Sequence, residues 1–190
     1  MEPDSPSLAP LTVLAGPTAV GKGTLVRRLR ELYPHLPVSV SVTTRKPRPG
    51  EVDGEDYFFV SNEQFDRLVQ TDALLEWAVV HGKHRYGTPA GWVEEQRRQG
   101  VPVLLEVDLE GARQVRERKP DCQTVFVAPP SWEELERRLV GRGTEGEEER
   151  GRRLATARQE LAAADEFDVV LVNDDVNRTA DELARLLELN

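Results

Sequence analysis

Short apolar runs alternate along the chain with longer segments in which apolar residues recur every three or four positions. Continuous apolar runs such as Leu11–Ala15 and Val101–Val107 are typical of strands buried on both faces of a parallel sheet. The longer segments have the periodicity of helices that cover such a sheet. The pattern predicts strands at 11–15, 38–43, 57–60, 74–81, 101–107, 124–128 and 169–172, and helices at 23–33, 61–71, 89–100, 109–119, 152–165 and 177–189, with a further helix that starts at 131.

This alternation predicts an α/β fold with a parallel sheet flanked by helices. Short antiparallel strands between residues 38 and 87 are expected to be inserted into it. Residues 1–10 are acidic and rich in proline, which favours a disordered tail, and residues 11–190 then form one domain. Ser61–Gln64 and Ser131–Glu134 have the spacing of capping boxes, which predicts two helix starts.

Composition excludes several classes of protein. Of the 190 residues 38% are hydrophobic, and no apolar run approaches the roughly 20 residues that a membrane-spanning helix needs. The net charge of −9 is opposite in sign to that of a typical duplex nucleic-acid binder. A single cysteine, Cys122, excludes a disulfide framework and a cysteine metal site, and the N-terminus lacks the pattern of a signal peptide. We therefore expect a cytoplasmic protein that binds neither membrane nor nucleic acid, as a monomer or a small homo-oligomer.

One glycine-rich segment, GPTAVGKGT at 16–24, lies between the first predicted strand and the first predicted helix. Its glycines let successive N–H groups face one point, where the helix N-terminus adds a partial positive charge and Lys22 a full one. The order strand, loop, helix is the context of a phosphate-binding loop, so the segment predicts a nucleoside-triphosphate site. Gly23 stands where the usual loop has Ser or Thr, which leaves Thr24 as the nearest hydroxyl for magnesium.

A second set of candidate residues follows the second predicted strand. Arg45 and Arg48 lie three residues apart in a loop stiffened by two prolines, which favours a pre-organised phosphate clamp. Tyr57 and Tyr86 can supply further hydroxyl donors. The alternative is a solvated basic loop on an acidic protein.

Glu76 is a carboxylate in an otherwise apolar predicted strand, so it needs a polar partner or an exposed strand face. Guanine presents its N1–H and its N2 amino group side by side, which suits a carboxylate acceptor. A hydroxyl from Ser41 or Thr88 can then donate to O6. Adenine has an acceptor at N1 and would leave the carboxylate unpaired, so such a site can discriminate strongly between the two bases. A surface glutamate on an edge strand is the alternative.

Together these motifs resemble the guanylate kinases, which phosphorylate GMP to GDP with ATP. The resemblance runs in collinear order from Gly16 to Asp175. It is carried by the motifs at 16–24, 41–51, 53–61, 75–78, 86–88, 108–111, 128–131, 141–144 and 172–175. It implies a P-loop NTPase-type parallel sheet with an inserted mixed GMP-binding lobe and a helical lid. The implied limits are 11–37 and 88–190 for the core, 38–87 for the lobe and about 139–155 for the lid.

The resemblance also implies roles for individual residues, with ATP and GMP as substrates, dGMP as a further acceptor, and a place in purine nucleotide metabolism. The implied catalytic residues are Lys22, Arg45, Arg142 and Arg153. The implied ATP contacts are Gly16, Pro17, Thr18, Ala19, Val20, Gly21, Lys22, Gly23, Thr24, Arg138, Arg142 and Asn173. The implied GMP contacts are Ser41, Arg45, Arg48, Tyr57, Glu76, Tyr86, Thr88, Glu106 and Asp108. Mg²⁺ would accompany ATP, with Thr24 touching it through water.

Some alternatives stay open at the level of sequence. The cluster at 173–175 suits a helix-capping role as well as a contact to adenine through Asn173, and Glu106 and Asp108 suit a strand end and a helix N-cap. A guanylate-kinase-like binding module of a scaffold protein is the alternative of another class, but such modules are expected to lack the loop lysine or the lid arginines. A kinase for another nucleoside monophosphate is the closer alternative.

Overall fold

The computed structural model describes residues 8–80, 83–140 and 147–189, and the account of the structure refers to those ranges. Two four-stranded sheets organise them. In chain order the elements are β1 (Leu11–Ala15), α1 (Lys22–Leu32), β2 (Val42–Thr43), β3 (Phe58–Phe59), α2 (Asn62–Gln70), β4 (Leu74–Val80), β5 (His84–Pro89), α3 (Ala90–Arg98), β6 (Val103–Glu106), α4 (Leu109–Arg118), β7 (Gln123–Ala128), α5 (Trp132–Val140), α6 (Glu147–Ala162), β8 (Val169–Val172) and α7 (Val176–Leu186).

The first sheet is parallel, in the order β6-β1-β7-β8. Strand β1 lies in its middle and is buried along its whole length. Leu14 faces the core cluster that contains α1 and α7, whereas Leu11 and Val13 face the cluster that contains α3 and α4. The predicted parallel sheet with helices on both faces is therefore confirmed, and the glycine-rich loop leaves the carboxyl end of its central strand.

The second sheet is mixed, in the order β3-β2-β5-β4. Strands β2 and β3 run parallel, and β5 runs antiparallel to both β2 and β4. Helix α2 packs on this sheet through Phe65, which is fully buried beside Val42 and Leu74. The capping box that starts α2 forms as predicted: Gln64 N donates to Ser61 Oγ (3.1 Å) and Ser61 N to Gln64 Oε1 (2.7 Å). The inserted mixed sheet is confirmed.

The predicted single strand at 38–43 is wrong. Val38 pairs in parallel with Leu104 and so extends the first sheet beside β6, while Val42 and Thr43 belong to the second sheet. The chain crosses between the two sheets inside a stretch whose polar alternation looks uniform. The far boundary also differs, because β5 continues through Pro89 and so carries the second sheet beyond residue 87.

Two other predicted boundaries shift. Helix α6 already includes Glu147, the first described residue after 140, so the predicted start at 152 is too late by at least five residues. At the N-terminus, Ala9 is buried, its N–H donates to Arg97 O (3.1 Å), and its carbonyl accepts from Arg97 Nε (2.8 Å). The predicted disordered tail is therefore wrong at residue 9, and residues 1–7 lie outside the described ranges.

The helices owe their positions to buried apolar stripes. Leu25 and Leu29 of α1 pack with Leu183 and Leu187, at the end of α7, on one face of the first sheet, and Val115 of α4 lies in the core of the other face. Among the described residues, no helix combines the length and the apolar character needed to cross a bilayer.

Candidate active site

The loop between β1 and α1 depends on two glycines. A Cβ on Gly16 would lie 2.4 Å from the carbonyl oxygen of Val127, and the φ of +153° is one that side chains rarely adopt. Gly21 has φ +103°, and a Cβ there would lie 2.7 Å from Nδ2 of Asn173. The loop is therefore drawn tightly against β7 and against the end of β8, at positions where no side chain fits.

The helix that follows the loop begins without a side-chain cap. Gly21 is its N-cap and its first turn carries no acidic residue, whereas α2, α4 and α7 are capped by Ser61, Asp108 and Asp175. The first amide groups of a helix lack intrahelical acceptors, and together with the helix dipole they attract anions. The start of α1 is thus available to an anionic ligand.

Lys22 folds back over the loop. Its Nζ donates to the carbonyl oxygens of Gly16 (2.5 Å) and Pro17 (3.4 Å). Burial lowers the pKa of Lys22, and neighbouring negative charges oppose that effect and help to keep the ammonium group protonated. Those neighbours are Glu106, Glu160 and Asp108.

A cavity of about 610 Å³ lies beside the loop and is lined by Ala19, Gly21, Thr24, Arg138, Asn173, Asp174 and Val176. The Val20 carbonyl at its base accepts from Asn173 Nδ2 (2.9 Å) and from Arg138 Nη1 (3.1 Å). Two predicted ATP residues are therefore tied to the phosphate loop. The helix-capping role left open for the cluster at 173–175 is also present, because the Asp175 carboxylate caps α7 by accepting from two backbone amides.

Arg138 is held from a second side by its own helix. Its Nε donates to Glu134 Oε1 (2.8 Å). The predicted capping box of α5 forms in one direction, because Glu134 N donates to Ser131 Oγ (3.2 Å) while the Glu134 carboxylate pairs with arginines. The Glu134 carboxylate therefore orients Arg138 toward the loop instead of completing the capping box.

Positions 23 and 24 face different surroundings. Thr24 lines the 610 Å³ cavity, and its hydroxyl accepts from Arg27 (3.4 Å). A Cβ on Gly23 would lie 3.9 Å from Oε1 of Glu106, so a side chain at 23 would point toward the end of β6. The contact of Thr24 with magnesium stays a prediction.

A second cavity, of about 420 Å³, opens between the two sheets. Six of the predicted GMP contacts line it: Ser41, Tyr57, Glu76, Tyr86, Glu106 and Asp108. Lys22 also lines it, whereas the neighbouring loop residues Gly21 and Thr24 line the 610 Å³ cavity. The two cavities thus meet at the phosphate loop, with one ammonium group between them.

Glu76, which lines the 420 Å³ cavity, forms a buried polar pair with Thr88. Strands β4 and β5 place them side by side, and Thr88 Oγ1 donates to Glu76 Oε1 (2.6 Å). Glu76 is only 8% exposed, so the alternative of a surface glutamate is wrong. Burial raises its pKa to about 7, and the charge of Asp108 adds to this rise. A Cβ on Gly111 would lie 3.0 Å from Oε2, so α4 closes over the carboxylate.

Arg45 is fixed by five groups, the first of which is the Lys46 carbonyl oxygen, which accepts from its Nη1 (2.8 Å). Its Nη1 and Nη2 donate to the Glu51 carboxylate (2.9 and 2.8 Å), and its Nε donates to Tyr86 Oη (3.1 Å). The guanidinium carbon lies 5.3 Å from the ring centre of Tyr57 and 5.8 Å from that of Phe59. Arg45 is therefore a pre-organised cation, and the alternative of a solvated basic loop is wrong for this residue.

Glu51 has a role that sequence reasoning missed. Its carboxylate holds Arg45 and also accepts from Arg48 N (2.7 Å), and these bonds lower its pKa. In the sequence it is one acidic residue in an exposed loop, and only its place three residues after Arg48 marks it. The side chain of Arg48 itself stays exposed.

Glu106 and Asp108 lie at the end of β6, where ligands bind in open α/β sheets. Asp108 is the N-cap of α4, because its Oδ1 accepts from Gly111 N (2.7 Å), and it also lines the 420 Å³ cavity. Glu106 is exposed at the end of the strand, yet the protein around its carboxyl group raises its pKa, while the charge of Lys22 opposes the rise. The two readings left open for Asp108, helix cap and site residue, are compatible.

The lid arginines are only partly described. Arg153 lies on α6, whereas Arg142 lies outside the described residues. Within the described ranges no group of three or more histidines, cysteines or carboxylates stands ready to hold a metal ion.

Comparison with known proteins identifies the family of the chain. The family model for guanylate kinase matches residues 9–190. The guanylate kinase of Synechococcus sp. (strain CC9311) is 56% identical over 189 residues, covering 100% of this chain and 98% of that protein, and that of Rhodococcus jostii (strain RHA1) is 59% identical over 178 residues, covering 93% and 86%. The crystal structure of guanylate kinase from Anaplasma phagocytophilum superposes with a TM-score of 0.74 at 35% identity, covering 96% of this chain and 86% of that one, which confirms the predicted fold class. The chain therefore belongs to the guanylate kinase family.

Proposed function

We propose that this protein transfers the γ-phosphoryl group of ATP directly to GMP, and to dGMP, giving GDP or dGDP. The observation that carries the proposal is the buried pair of Glu76 and Thr88 in a cavity that opens onto the phosphate loop. A buried carboxylate with one lone hydroxyl partner retains capacity to accept further hydrogen bonds. The two N–H donors on the Watson–Crick edge of guanine match that capacity.

Recognition of the acceptor base follows from this pairing. The Glu76 carboxylate accepts from guanine N1–H and N2–H, and the Ser41 hydroxyl on the same cavity wall donates to O6. Adenine or uracil would leave the carboxylate buried without these bonds, which is costly. Because Glu76 has a pKa of about 7, guanine binding also favours the ionised carboxylate.

The acceptor phosphate is held by the cationic loop. Arg45 supplies a fixed guanidinium, Arg48 an exposed one, and Tyr57 and Tyr86 supply hydroxyl groups. The nucleophile is a phosphate oxygen that already carries negative charge, so the transfer does not need a general base. The task of these residues is to bring one anion against another in line for transfer.

The donor is held by the phosphate loop. The amides at the start of α1 and the ammonium of Lys22 bind the β- and γ-phosphates, and the 610 Å³ cavity beside Arg138 and Asn173 receives the nucleoside end of ATP. Mg²⁺ would accompany the triphosphate and supply positive charge there, and Thr24, Glu106 and Asp108 would offer it oxygen donors, the kind that it prefers. Arg142 and Arg153 neutralise the charge that develops during transfer. A cytoplasmic location and a monomer or small homo-oligomer stay predictions.

The test compares GMP, dGMP, AMP and UMP as acceptors in an ADP-release assay, for the wild type and for Glu76→Gln. We expect turnover with GMP and dGMP, at least about 10³-fold lower kcat/KM with AMP, and loss of most of this discrimination in Glu76→Gln. Equal use of AMP and GMP by the wild type would contradict the proposed acceptor. Absence of turnover with every acceptor would favour the alternative of a binding module.

A further inference from the structure

One hydrogen bond joins the phosphate loop to helix α6. The N–H of Thr18, the third residue of the loop, donates to Oε2 of Glu160 at 3.3 Å, across 142 positions of the chain. Glu160 lies near the end of α6 and has no part in the roles proposed above. In the sequence it is one of many polar residues on a helix.

The surroundings of Glu160 belong to the phosphate site. Burial raises the pKa of its carboxyl group, whereas the Thr18 N–H and the charge of Lys22 lower it. In the reverse direction, Glu160 is one of the carboxylates that help to keep Lys22 protonated. Glu160 is thus a half-buried carboxyl group that lies beside the loop and interacts with it.

Helix geometry links this anchor to a lid arginine. Arg153 and Glu160 are seven residues apart, which is two turns, so they lie on the same side of α6 about 10 Å apart along its axis. Ala157 lies between them on that side and is 1% exposed, so this side of the helix packs on the protein. An anchor at Glu160 therefore fixes both the rotation and the axial position of Arg153.

We propose that Glu160 is a positioning residue for Arg153: by accepting the Thr18 N–H, it sets the register of α6 on the phosphate loop and so aligns the arginine with the transferred phosphoryl group. The proposal rests on the catalytic role proposed for Arg153. Displacement of a catalytic group by about 1 Å can cost about 10²-fold in rate, so a single anchor of this kind has a measurable effect.

The test is a double-mutant cycle on kcat for ATP and GMP with Glu160→Ala, Arg153→Ala and the double variant. Glu160→Gln retains a side-chain oxygen acceptor for Thr18 N–H, and Gln159→Ala is the matched control on the exposed side of the same helix. We expect kcat to fall about tenfold in Glu160→Ala with KM for GMP unchanged. We expect Glu160→Gln and Gln159→Ala to stay within about threefold of the wild type, and the double variant to match Arg153→Ala alone.

The other outcomes separate the two proposals. Losses that multiply in the double variant, or a wild-type kcat in Glu160→Ala, would overturn the positioning role while leaving Arg153 catalytic. An equal loss of kcat in Glu160→Gln would overturn the positioning role, because it would show that the negative charge of Glu160 matters and not its hydrogen bond to Thr18. A lower KM for ATP in Glu160→Ala would also overturn it, because it would show that the carboxylate competes with the phosphates of ATP for the loop. A wild-type kcat in Arg153→Ala would refute the catalytic role of the arginine itself. Melting temperatures of all variants identify any loss that comes from unfolding.

Discussion

At the scale of single residues, the site is built from groups that are held before any substrate arrives. Glu76 could be predicted from the sequence because a carboxylate in an apolar strand is a local anomaly with few explanations. Glu51 could not, because an acidic residue in a Pro- and Gly-rich loop looks like ordinary solvated surface. Its importance depends on a bidentate contact with Arg45 that only the folded loop brings about. The contact of Glu160 could not be predicted for the same reason, since its partner, Thr18, lies 142 positions away in the chain.

Glu51→Gln tests whether the Arg45 clamp depends on its carboxylate. The amide retains one acceptor oxygen, so Arg45 loses its bidentate ion pair and gains rotational freedom. We expect KM for GMP to rise about tenfold, with KM for ATP unchanged, in initial-rate measurements. Glu55→Gln, an exposed position on the same loop, is the control and should behave like the wild type. A fall in KM for GMP would show that Glu51 competes with the substrate phosphate for Arg45, contrary to this prediction.

At the scale of elements, the sequence predicted every strand of the parallel sheet because each contains a short apolar run, although β8 is buried only at Leu171. It could not predict the limits of β2 and β3, because each has only two residues and a repeat of hydrophobic positions cannot be recognised over two residues. The sequence also gives no sign that the chain crosses from one sheet to the other after Val38. That crossing is defined by backbone pairing, since Val38 pairs with Leu104 in the first sheet and Val42 with Gly87 in the second. The register of β4 and β5 matters most for the site, since it sets Glu76 beside Thr88 and Tyr86 opposite Ala78.

The junction of β1 with the phosphate loop gives a prediction at this scale. Alanine at Gly16 would overlap the Val127 carbonyl, so Gly16→Ala must push the loop off β7. We expect its free energy of unfolding to fall by about 1–3 kcal/mol and its turnover to be lost. Gly91→Ala is the matched control, because Gly91 lies in α3 with open space around its Cβ position. That variant should retain full activity and gain up to about 1 kcal/mol, since alanine favours helix. Urea unfolding and an ADP-release assay measure both; wild-type stability and turnover in Gly16→Ala would contradict the proposed loop geometry.

At the scale of the whole molecule, an acidic protein handles two anionic substrates by concentrating its cations in one cleft. The net charge is −9, yet Lys22, Arg45 and Arg138 are each fixed by several contacts around the two cavities. The same cleft contains the buried carboxylate of Glu76, whose charge is useful only when a substrate is present. Such a site lowers the stability of the protein without substrate, because the buried charge lacks the partners that a bound substrate supplies.

Glu76→Gln makes that cost measurable. The folded carboxyl has a pKa of about 7 against an ordinary 4.5, so between these values the folded wild type binds more protons than the unfolded chain. The contribution of Glu76 to the free energy of unfolding must therefore fall as pH rises from about 4.5 to about 7, by about 3 kcal/mol in total, and then level off. Glutamine does not titrate, so we expect Glu76→Gln to gain about that much relative to the wild type between pH 4.5 and pH 8 while losing its preference for GMP. Urea unfolding followed by tryptophan fluorescence at both pH values measures the difference, with Glu55→Gln as a control that removes an exposed carboxylate. If the difference in free energy of unfolding between Glu76→Gln and the wild type stays constant over this range, the ionised carboxylate does not destabilise the empty site. Selectivity for guanine would then carry no cost in stability.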